Sequence, residues 1–372
     1  MKILVANSLA RKNKPLVALL RSLAGHFDLV VRSSDVFFFS SFPGGKKMNF
    51  GPSAGGWGDL LFFPWVLISW PFYFIWLLIA VFRGRLKSLI CVGANEKVIL
   101  TLPARLFRLR VFWLEMPDAA YSRFSVSTWL LSWLSRLAVA VCFTSSSLSE
   151  RVSLGFGRDN VAVLPPAPEA DYARQDDIFS KLAVSDKPKV FFKKFSIGTV
   201  VDFSDCGHFE TLLKAVKNCS NVIPNIQLVV IGSSSQRRNI NWLSKRLGIE
   251  SRVWFVGEQG DLVRWFDDLD LYFSLSDRPN LFDLETALLA MSRGVPAVVF
   301  DGERFSDFIA DGQTGFVVGS GTEETLTKRL IDIESDKSLL KKVGDGGRLL
   351  VEQRLNRRNQ VEMLTNLFKS MI

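Results

Sequence analysis

The stretch PNLFDLETALLAMSRGVPAVVFDGERFSDFIADGQTGFVV, residues 279–318, contains helix-ending and turn-forming residues in the order typical of an α/β domain. An apolar helical pattern stops at Gly294, and Pro296 precedes a short apolar run that is typical of a strand. Gly312 and Gly315 permit a tight turn before a last strand. The stretch therefore predicts helix, strand, turn and strand in that order. The first amides of such a helix are a natural binding place for an anion such as a diphosphate.

The alternation of short apolar strands and amphipathic helices extends through the whole chain. Lys2–Ala6 opens as a strand, another strand is expected at Val98–Leu102, and a new series starts at Phe195–Val201. Between these series the composition becomes proline-rich and polar, which predicts a linker. We expect a first domain at 1–170, a linker at 171–188, a second domain at 189–355, and a C-terminal helix at 356–372 for which the first domain is a candidate packing surface.

Length and composition fit two α/β domains. The chain has 372 residues, of which 48% are hydrophobic, and this is enough for two separate cores. Its four cysteines form no C-x-x-C pair and it has only two histidines, so we expect no metal site. Because Met1 is followed directly by a strand-like run, no signal peptide is expected either, and the chain is interpreted as reduced and cytosolic.

The positive charge lies in the N-terminal half. Residues 1–160 hold 19 Lys and Arg against 8 Asp and Glu, a difference of +11, whereas the whole chain carries +9. The remaining residues are therefore slightly acidic, at −2. Such a distribution favours an anionic partner for the first domain, and an anionic membrane surface is the expected one. No aromatic and basic RNA-binding motif is found, so no nucleic-acid partner is expected.

An uncharged apolar segment lies inside the first domain. Leu60–Phe82 contains 23 residues without a charge and includes three tryptophans, and it is followed by Arg83, Arg85 and Lys87. Its length would span a bilayer core of about 30 Å. A single crossing would separate strands of one sheet, and Pro64 and Pro71 interrupt helical hydrogen bonding. The favoured interpretation is a helix or helical hairpin in the membrane interface, with a buried core helix and a true span as the alternatives.

The stretch quoted first resembles the donor-site block of the family 4 glycosyltransferases, which belong to the glycosyl transferases group 1. The matched positions are Ala290–Pro296 and Asp311–Gly315. Ile197–Val201 with Gly207–Ala215, and Leu228–Gly232, are similar to other strands and helices of the family. The resemblance implies an α/β GT-B fold of two Rossmann-like βαβ domains with a cleft between them. It also implies transfer of a sugar with retention of configuration, without a metal or cofactor.

Several positions depart from the family pattern. Leu289 stands where the family has the second of two carboxylates for the donor, and Leu281, or Asn280 if one residue is inserted, stands at the first. A leucine cannot accept a hydrogen bond from a ribose hydroxyl. Val201 and Cys206 stand where it has cations for the diphosphate. Lys193, Lys194 and Arg278 are candidates to supply the missing charge. Glu285, one helical turn before Leu289, is a candidate replacement carboxylate.

The candidate site residues follow from the strand ends and from the resemblance. Glu115 and Asp118, at the end of a predicted strand, are the candidate catalytic carboxylates; a capped, solvated loop is the alternative. Asn7, after the first strand, is a candidate for the acceptor side. The candidate donor-binding residues are Thr199, Gly207, His208, Gly232, Ser276, Asp277, Arg278, Asn280, Phe282, Asp283, Glu285 and Asp307.

Three functions remain open on the sequence. The first is a glycosyltransferase that moves a sugar from a nucleotide-activated donor to a lipid-linked or cell-envelope glycan acceptor. It would be peripheral or monotopic at the inner face of the cell membrane. The second is a catalytically degenerate GT-B protein that acts as a membrane-bound partner or scaffold. The third is a GT-B enzyme with a non-nucleotide donor.

Overall fold

The structure is a computed structural model. It describes residues 2–9, 13–52, 58–84, 86–119, 121, 125–157, 160–168, 195–201, 208–232, 237–259, 261–276, 278–302, 304–319 and 322–370. The chain forms two compact units. Unit 1 comprises Met1–Pro166, Asn280–Phe282 and Gln360–Ile372; unit 2 comprises Ala167–Pro279 and Asp283–Asn359. The predicted linker at 171–188 lies outside the described residues.

Unit 1 contains a seven-stranded parallel sheet in the order β3-β2-β1-β4-β5-β6-β7. Its strands are β1 (Lys2–Asn7), β2 (Asp28–Ser33), β3 (Lys46–Lys47), β4 (Leu86–Cys91), β5 (Arg110–Glu115), β6 (Val139–Cys142) and β7 (Val161–Val163). Its helices are α1 (Lys14–Ala24), α2 (Val36–Ser40), α3 (Asp59–Gly84), α4 (Ala94–Leu106), α5 (Val126–Leu134) and α6 (Ser145–Ser153).

The two faces of this sheet have different apolar cores. Alternate residues of β1 point to opposite faces, so Ile3 and Val5 join one core while Leu4 and Ala6 join the other. The first core is completed by helices that include α1 and by Phe368 near the C-terminus, whose ring is 4.4 Å from that of Phe112. The second core is completed by α3, α4 and α5.

The strand predicted at Val98–Leu102 is wrong, because these residues form the middle of α4. A short, fully apolar run is equally typical of a buried strand and of a buried helix. The Glu96 carboxylate decides the outcome locally, because it accepts hydrogen bonds from the backbone N–H groups of Gly93 and Val92 and so caps the start of the helix.

Helix α3 lies on the surface of unit 1. Phe62, Tyr73 and Leu77 are buried against the second core. Among the described residues, α3 is long and apolar enough to cross a membrane. Only 11% of its most apolar 18-residue stretch is buried, however. The interpretation as a buried core helix is therefore wrong for most of its length. The exposed large apolar residues are Leu60, Leu61, Leu67, Ile68, Phe72, Ile75, Ile79 and Phe82.

Unit 2 contains a six-stranded parallel sheet in the order β10-β9-β8-β11-β12-β13. Its strands are β8 (Phe195–Val200), β9 (Ile226–Ile231), β10 (Val253–Gly257), β11 (Leu271–Phe273), β12 (Ala297–Phe300) and β13 (Phe316–Val318). Its helices are α7 (Phe209–Cys219), α8 (Arg237–Leu247), α9 (Leu262–Phe266), α10 (Leu281–Ser292), α11 (Glu323–Ser335) and α12 (Lys337–Gln353). The last helix, α13 (Arg357–Ser370), begins in unit 2 and continues in unit 1.

Helix α12 packs unusually close to the turn that ends α10. Gly294 adopts a positive φ of 77°, as expected of the glycine that terminates a helix. A Cβ atom on Gly344 of α12 would overlap the carbonyl oxygen of Gly294. The glycine in α12 therefore permits the contact between this helix and the turn.

Replacement of Gly344 by alanine is expected to destabilise the protein by about 1–3 kcal/mol, because the added methyl group collides with backbone. In an open helix the same change would stabilise by up to about 1 kcal/mol. Chemical denaturation measures the effect, and Gly84→Ala at the end of α3, where a Cβ atom meets only ordinary contacts, is the matched control. A stabilised Gly344→Ala variant would contradict the close packing.

Candidate functional site

The strand order of unit 2 indicates where a ligand would bind, at the carboxyl edge of its sheet. Strands β8 and β11 are neighbours, and the chain proceeds from them to opposite sides of the sheet, towards β9 and β10 or towards β12 and β13. In doubly wound sheets, ligands bind outside the carboxyl ends of the strands at such a switch point. Residues that follow β8 and β11 are therefore the first candidates for a ligand site.

Helix α10 begins at this edge, directly after the β11 loop. The side-chain oxygen of Asn280 accepts a hydrogen bond of 2.7 Å from the backbone N–H of Phe282 and so caps the helix. Ser276 is buried in the same loop, and Arg278 is exposed. The start of α10 thus presents backbone N–H groups next to an exposed cation, which suits an anionic ligand.

His208 lies at the start of α7, which follows β8. Its ring centroid is 4.1 Å from that of Phe300, the last residue of β12. The aromatic contact holds the imidazole over the carboxyl edge of the sheet. Asp307, in the turn that follows β12, is exposed. Both predicted residues thus lie at the edge that carries the start of α10.

Arg304, which was not among the predicted site residues, also lies at this edge. Its side chain is buried, and one guanidinium nitrogen is 3.5 Å from the carbonyl oxygen of Pro279, just before α10. The sequence feature that could have indicated Arg304 as a site residue is its position as a lone basic residue in the loop that follows a strand. Arg304 is thus a second cation, besides Arg278, next to the start of α10.

Glu285 is not available to replace the missing donor carboxylate. Its carboxylate is fully buried, and one guanidinium nitrogen of Arg357, Nη2, lies 3.2 Å from each of the two carboxylate oxygens. Nη2 thus donates to both oxygens of Glu285, and hydrogen bonds between charged groups are among the stronger ones in proteins. The predicted ribose contact is therefore not supported by the position of Glu285, which instead anchors the first turn of α13 to α10.

Two other predicted donor residues shape the backbone. Thr199 is fully buried inside β8, in register with Val230, so its side chain does not reach a dissolved ligand. Gly232 follows β9 with a φ of 122°, and a Cβ atom there would overlap the carbonyl oxygen of Val201. Gly232 therefore permits a close approach of two strand ends.

The positions that depart from the family pattern are occupied by core side chains. Leu281, Leu289 and Val201 are all buried, and Leu289 packs beside Tyr272 in an apolar cluster of unit 2. Asp283, half-buried in the first turn of α10, lies close enough to contribute to raising the pKa of Tyr272, although burial of the phenol is the larger cause. Gly207, Asp277, Cys206, Lys193 and Lys194 lie outside the described residues.

In unit 1, Glu115 lies at the end of β5 inside a buried ionic cluster. Its carboxylate is 2.9 Å from Nζ of Lys97 and 3.5 Å from Nε of Arg151, and it accepts a hydrogen bond of 2.6 Å from the hydroxyl group of Tyr121. The guanidinium group of Arg151 lies 4.6 Å from the ring centre of Phe156. We name Lys97, Glu115, Tyr121 and Arg151 the buried cluster.

Electrostatics hold Glu115 in its charged form. Burial alone would raise the pKa of its carboxyl group, but the charges of Lys97 and Arg151 and the hydrogen bonds from Tyr121 and Lys97 hold that pKa below its usual value. Burial also raises the pKa of the neighbouring Cys142 thiol to about 11. The predicted catalytic role of Glu115 does not fit this environment, since a carboxylate at 2% exposure with three partners cannot meet a substrate directly.

Asp118 and Asn7 lie at the same carboxyl edge of unit 1. Asp118 is partly exposed in the turn that follows β5, so of the two predicted catalytic carboxylates it is the one with solvent access. Asn7 is buried, and its side chain accepts a hydrogen bond from the N–H of Leu9 and donates one to Ser33 Oγ. Asn7 therefore shapes the turn after β1, and its predicted contact with an acceptor is not supported.

The described residues hold no group of three or more His, Cys, Asp or Glu side chains arranged to bind a metal ion. Within the described parts of the chain, Cys91, Cys142 and Cys219 are buried free thiols.

Comparison with solved structures identifies the fold of the chain. HepE of Anabaena, solved in complex with UDP, superimposes with a TM-score of 0.79 at 16% identity and covers 100% of both chains. Solved structures of this kind are GT-B glycosyltransferases, so the chain has the GT-B fold, as predicted from the sequence. The fold class is therefore that of a GT-B protein with two parallel α/β units.

Part of the chain matches a family model. Residues 184–350 match the model described as glycosyl transferases group 1. The chain is 28% identical over 139 residues to the lipopolysaccharide core biosynthesis glycosyltransferase LpsE of Rhizobium meliloti (strain 1021). It is 34% identical over 92 residues to the mannosyltransferase LpcC, of the same biosynthesis, from Rhizobium leguminosarum bv. viciae.

These alignments are partial. They cover 37% and 25% of this chain, and the chain spans 39% and 26% of the two relatives.

Proposed function

We propose that this protein is a glycosyltransferase. It transfers a sugar, with retention of configuration, from a nucleotide-activated donor to a lipid-linked or cell-envelope glycan acceptor at the cytoplasmic face of the membrane. The observation that carries the proposal is the carboxyl edge of unit 2, where the start of α10, Arg278 and His208 occur in a group 1 glycosyltransferase fold. The UDP bound to HepE and the names of the lipopolysaccharide relatives support this donor and acceptor class.

The donor diphosphate binds at the start of α10 in this proposal. The backbone N–H groups and the helix dipole favour its negative charge. Arg278 reaches it from the exposed loop, and Arg304 orders the Pro279 carbonyl that precedes the helix. Asp307 binds the sugar or the ribose of the donor in this proposal. These groups take over from the family carboxylates and cations that are replaced by Leu281, Leu289, Val201 and Cys206.

The reaction follows from these positions. The bond between the anomeric carbon and the terminal phosphate oxygen breaks, and the acceptor hydroxyl oxygen bonds to the same face of that carbon. The hydroxyl proton leaves with the nucleoside diphosphate. The protein accelerates the step mainly by stabilising the charge that develops on the diphosphate, and cations at a helix start supply this stabilisation. Asp118 is the candidate for contact with the acceptor hydroxyl.

Replacement of Arg278 by alanine is expected to weaken nucleotide-sugar binding by about 10- to 100-fold, since a charge-assisted hydrogen bond contributes about 1.5–3 kcal/mol. Titration calorimetry measures the dissociation constant. Arg264→Ala, which removes another exposed arginine of unit 2, is the control and leaves the constant unchanged. Equal affinity of the Arg278→Ala variant and the unaltered protein would remove Arg278 from the donor site.

The activity itself is tested by incubation of the full chain with UDP- and GDP-sugars and a membrane lipid extract. Release of the nucleoside diphosphate and transfer of labelled sugar to the lipid fraction are measured. Transfer from at least one donor is the expected result. Absence of release, transfer and thermal stabilisation with every nucleotide sugar would reject the proposal.

A catalytically degenerate protein is the second candidate, and the burial of Leu281 and Leu289 favours it. Such a protein would bind a partner enzyme at the membrane and turn over no donor. The two candidates differ in the transfer assay, because a degenerate protein raises transfer only when a related enzyme is present. A non-nucleotide donor, such as a polyprenyl-phosphate sugar, would instead give transfer without nucleotide.

A further inference from the structure

The outer surface of α5 continues the apolar surface of α3. Val126, Trp129 and Trp133 are spaced three and four residues apart and so lie on one side of the helix. Trp129 is 70% exposed and Trp133 is 50% exposed. Two large aromatic side chains on one short helix, both open to solvent, are unusual in a soluble surface.

Helix α4 connects these two surfaces. Phe107, at its end, has its ring centre 5.0 Å from that of Phe74 in α3. Leu102 and Leu106 of α4 are exposed and lie one turn apart. At its other end α3 is tied to α5, because the carboxylate of Asp59 accepts hydrogen bonds from the hydroxyl of Ser125 and the N–H of Ser127. We name the exposed sides of α3, α4 and α5 the apolar layer.

The charges around the apolar layer are almost all positive. Residues 36–149 include 11 Lys and Arg but only four acids, Asp59, Glu96, Glu115 and Asp118. The first three of these acids are buried. The exposed cations near the ends of the three helices are Arg83, Lys87, Arg105, Arg108 and Arg136. A surface of this charge complements an anionic partner.

The topology places these cations along one edge of unit 1. Helices α3, α4 and α5 each connect two parallel strands, from β3 to β4, β4 to β5 and β5 to β6. Crossover helices in such connections run opposite to the strands, so the three helices run in the same direction. Their last turns, with Arg83, Arg105 and the following Arg136, therefore lie near the amino edge of the sheet. An apolar surface is thus bordered by cations on one side.

We propose that the apolar layer binds flat on an anionic lipid bilayer, with Trp129 and Trp133 of α5 as anchors beside α3. This inference rests on the proposed function, for which a lipid-linked acceptor requires access to a membrane. Tryptophan prefers the boundary between headgroups and acyl chains, and nearby cations bind the anionic headgroups. Phe62, Tyr73 and Leu77, within a stretch of 16 residues of α3, are buried in the same core of unit 1, and this argues against a membrane crossing.

The proposal is tested by sedimentation of the full protein with vesicles of phosphatidylcholine, with and without phosphatidylglycerol. We expect binding to the anionic vesicles that falls at high salt and falls at least tenfold in the Trp129→Ser/Trp133→Ser variant. Trp242→Ser, which removes a 60% exposed tryptophan of unit 2, is the control and binds as the unaltered protein does. Arg105→Gln/Arg136→Gln is expected to weaken binding by about fivefold for each cation.

Three results would overturn the proposal. One is no binding to anionic vesicles, and another is equal binding of the double tryptophan variant and the control. The third is a dimer in sedimentation velocity that dissociates in the Trp129→Ser/Trp133→Ser variant, because the layer would then cover a second copy of the chain. Nucleotide-sugar binding is measured in parallel without lipid, so failure of this inference and failure of the glycosyltransferase proposal are separate outcomes.

Discussion

Replacement of Glu115 by glutamine is expected to lower the free energy of unfolding by about 3–5 kcal/mol at neutral pH. The change leaves Lys97 and Arg151 buried in unit 1 without their common carboxylate, and an unpaired buried charge is strongly destabilising. Denaturation in urea measures the effect. The control is Glu362→Gln, which removes an exposed carboxylate of α13 and should change stability by less than about 0.5 kcal/mol.

The same variant has a predicted pH dependence. The pKa of Glu115 is lower in the folded protein than in the unfolded chain, so its contribution is fully present above the unfolded value of about 4.3. This contribution is lost as the pH falls towards the folded pKa. The difference in stability between the unaltered protein and Glu115→Gln should therefore be constant from about pH 6 to 8 and shrink below about pH 4. A difference that grows on acidification would contradict the buried cluster.

Replacement of Arg357 by alanine is the second change with a large expected effect. It removes the cationic partner of the buried Glu285 carboxylate and should also lower the free energy of unfolding by about 3–5 kcal/mol. Arg358→Ala, at the exposed neighbouring position of α13, is the matched control, with an effect within about 0.5 kcal/mol.

A double variant separates the pair from the packing around it. In Glu285→Met/Arg357→Met both charges are replaced by apolar side chains of similar size, and most of the lost stability should return. A double variant that is as unstable as Arg357→Ala would show that packing of the arginine side chain, rather than the ion pair, carries the effect.

Local sequence features were sufficient to predict much of the secondary structure of the second unit. Gly294 ends α10 with a positive φ, Pro296 precedes β12, and Gly312 has a φ of 68° in the turn before β13. Each of these features depends on residues a few positions apart, so the chain itself contains the information. The GT-B fold could be predicted because many such features occur in the family order.

The site chemistry could not be predicted in the same way. Glu285 and Arg357 are 72 residues apart, and Glu115 meets Lys97 and Arg151 only after β5, α4 and α6 have packed together. Sequence spacing contains no sign of these pairs. The two glutamates were therefore expected to bind ligands, whereas folding uses both as buried anchors.

The environment of the apolar segment Leu60–Phe82 could not be predicted from its composition alone. The sequence favoured an interfacial helix but left a core helix and a span as alternatives, since composition does not state which side of a helix meets the sheet. The burial of Phe62 and Leu77 and the exposure of Leu67 and Phe72 distinguish these cases. The exposed surface of Trp129 and Trp133 could not be predicted from the sequence, because a nine-residue helix is too short to suggest a membrane surface by itself.

The central claim, that unit 2 binds an activated sugar through a nucleoside diphosphate, is tested most directly by calorimetric titration of the full chain with UDP- and GDP-sugars. We expect saturable binding of one molecule per chain for at least one donor, weakened about 10- to 100-fold in Arg278→Ala and unchanged in Arg264→Ala. Folded protein that gives no binding heat with any nucleotide sugar, at several temperatures, would contradict it.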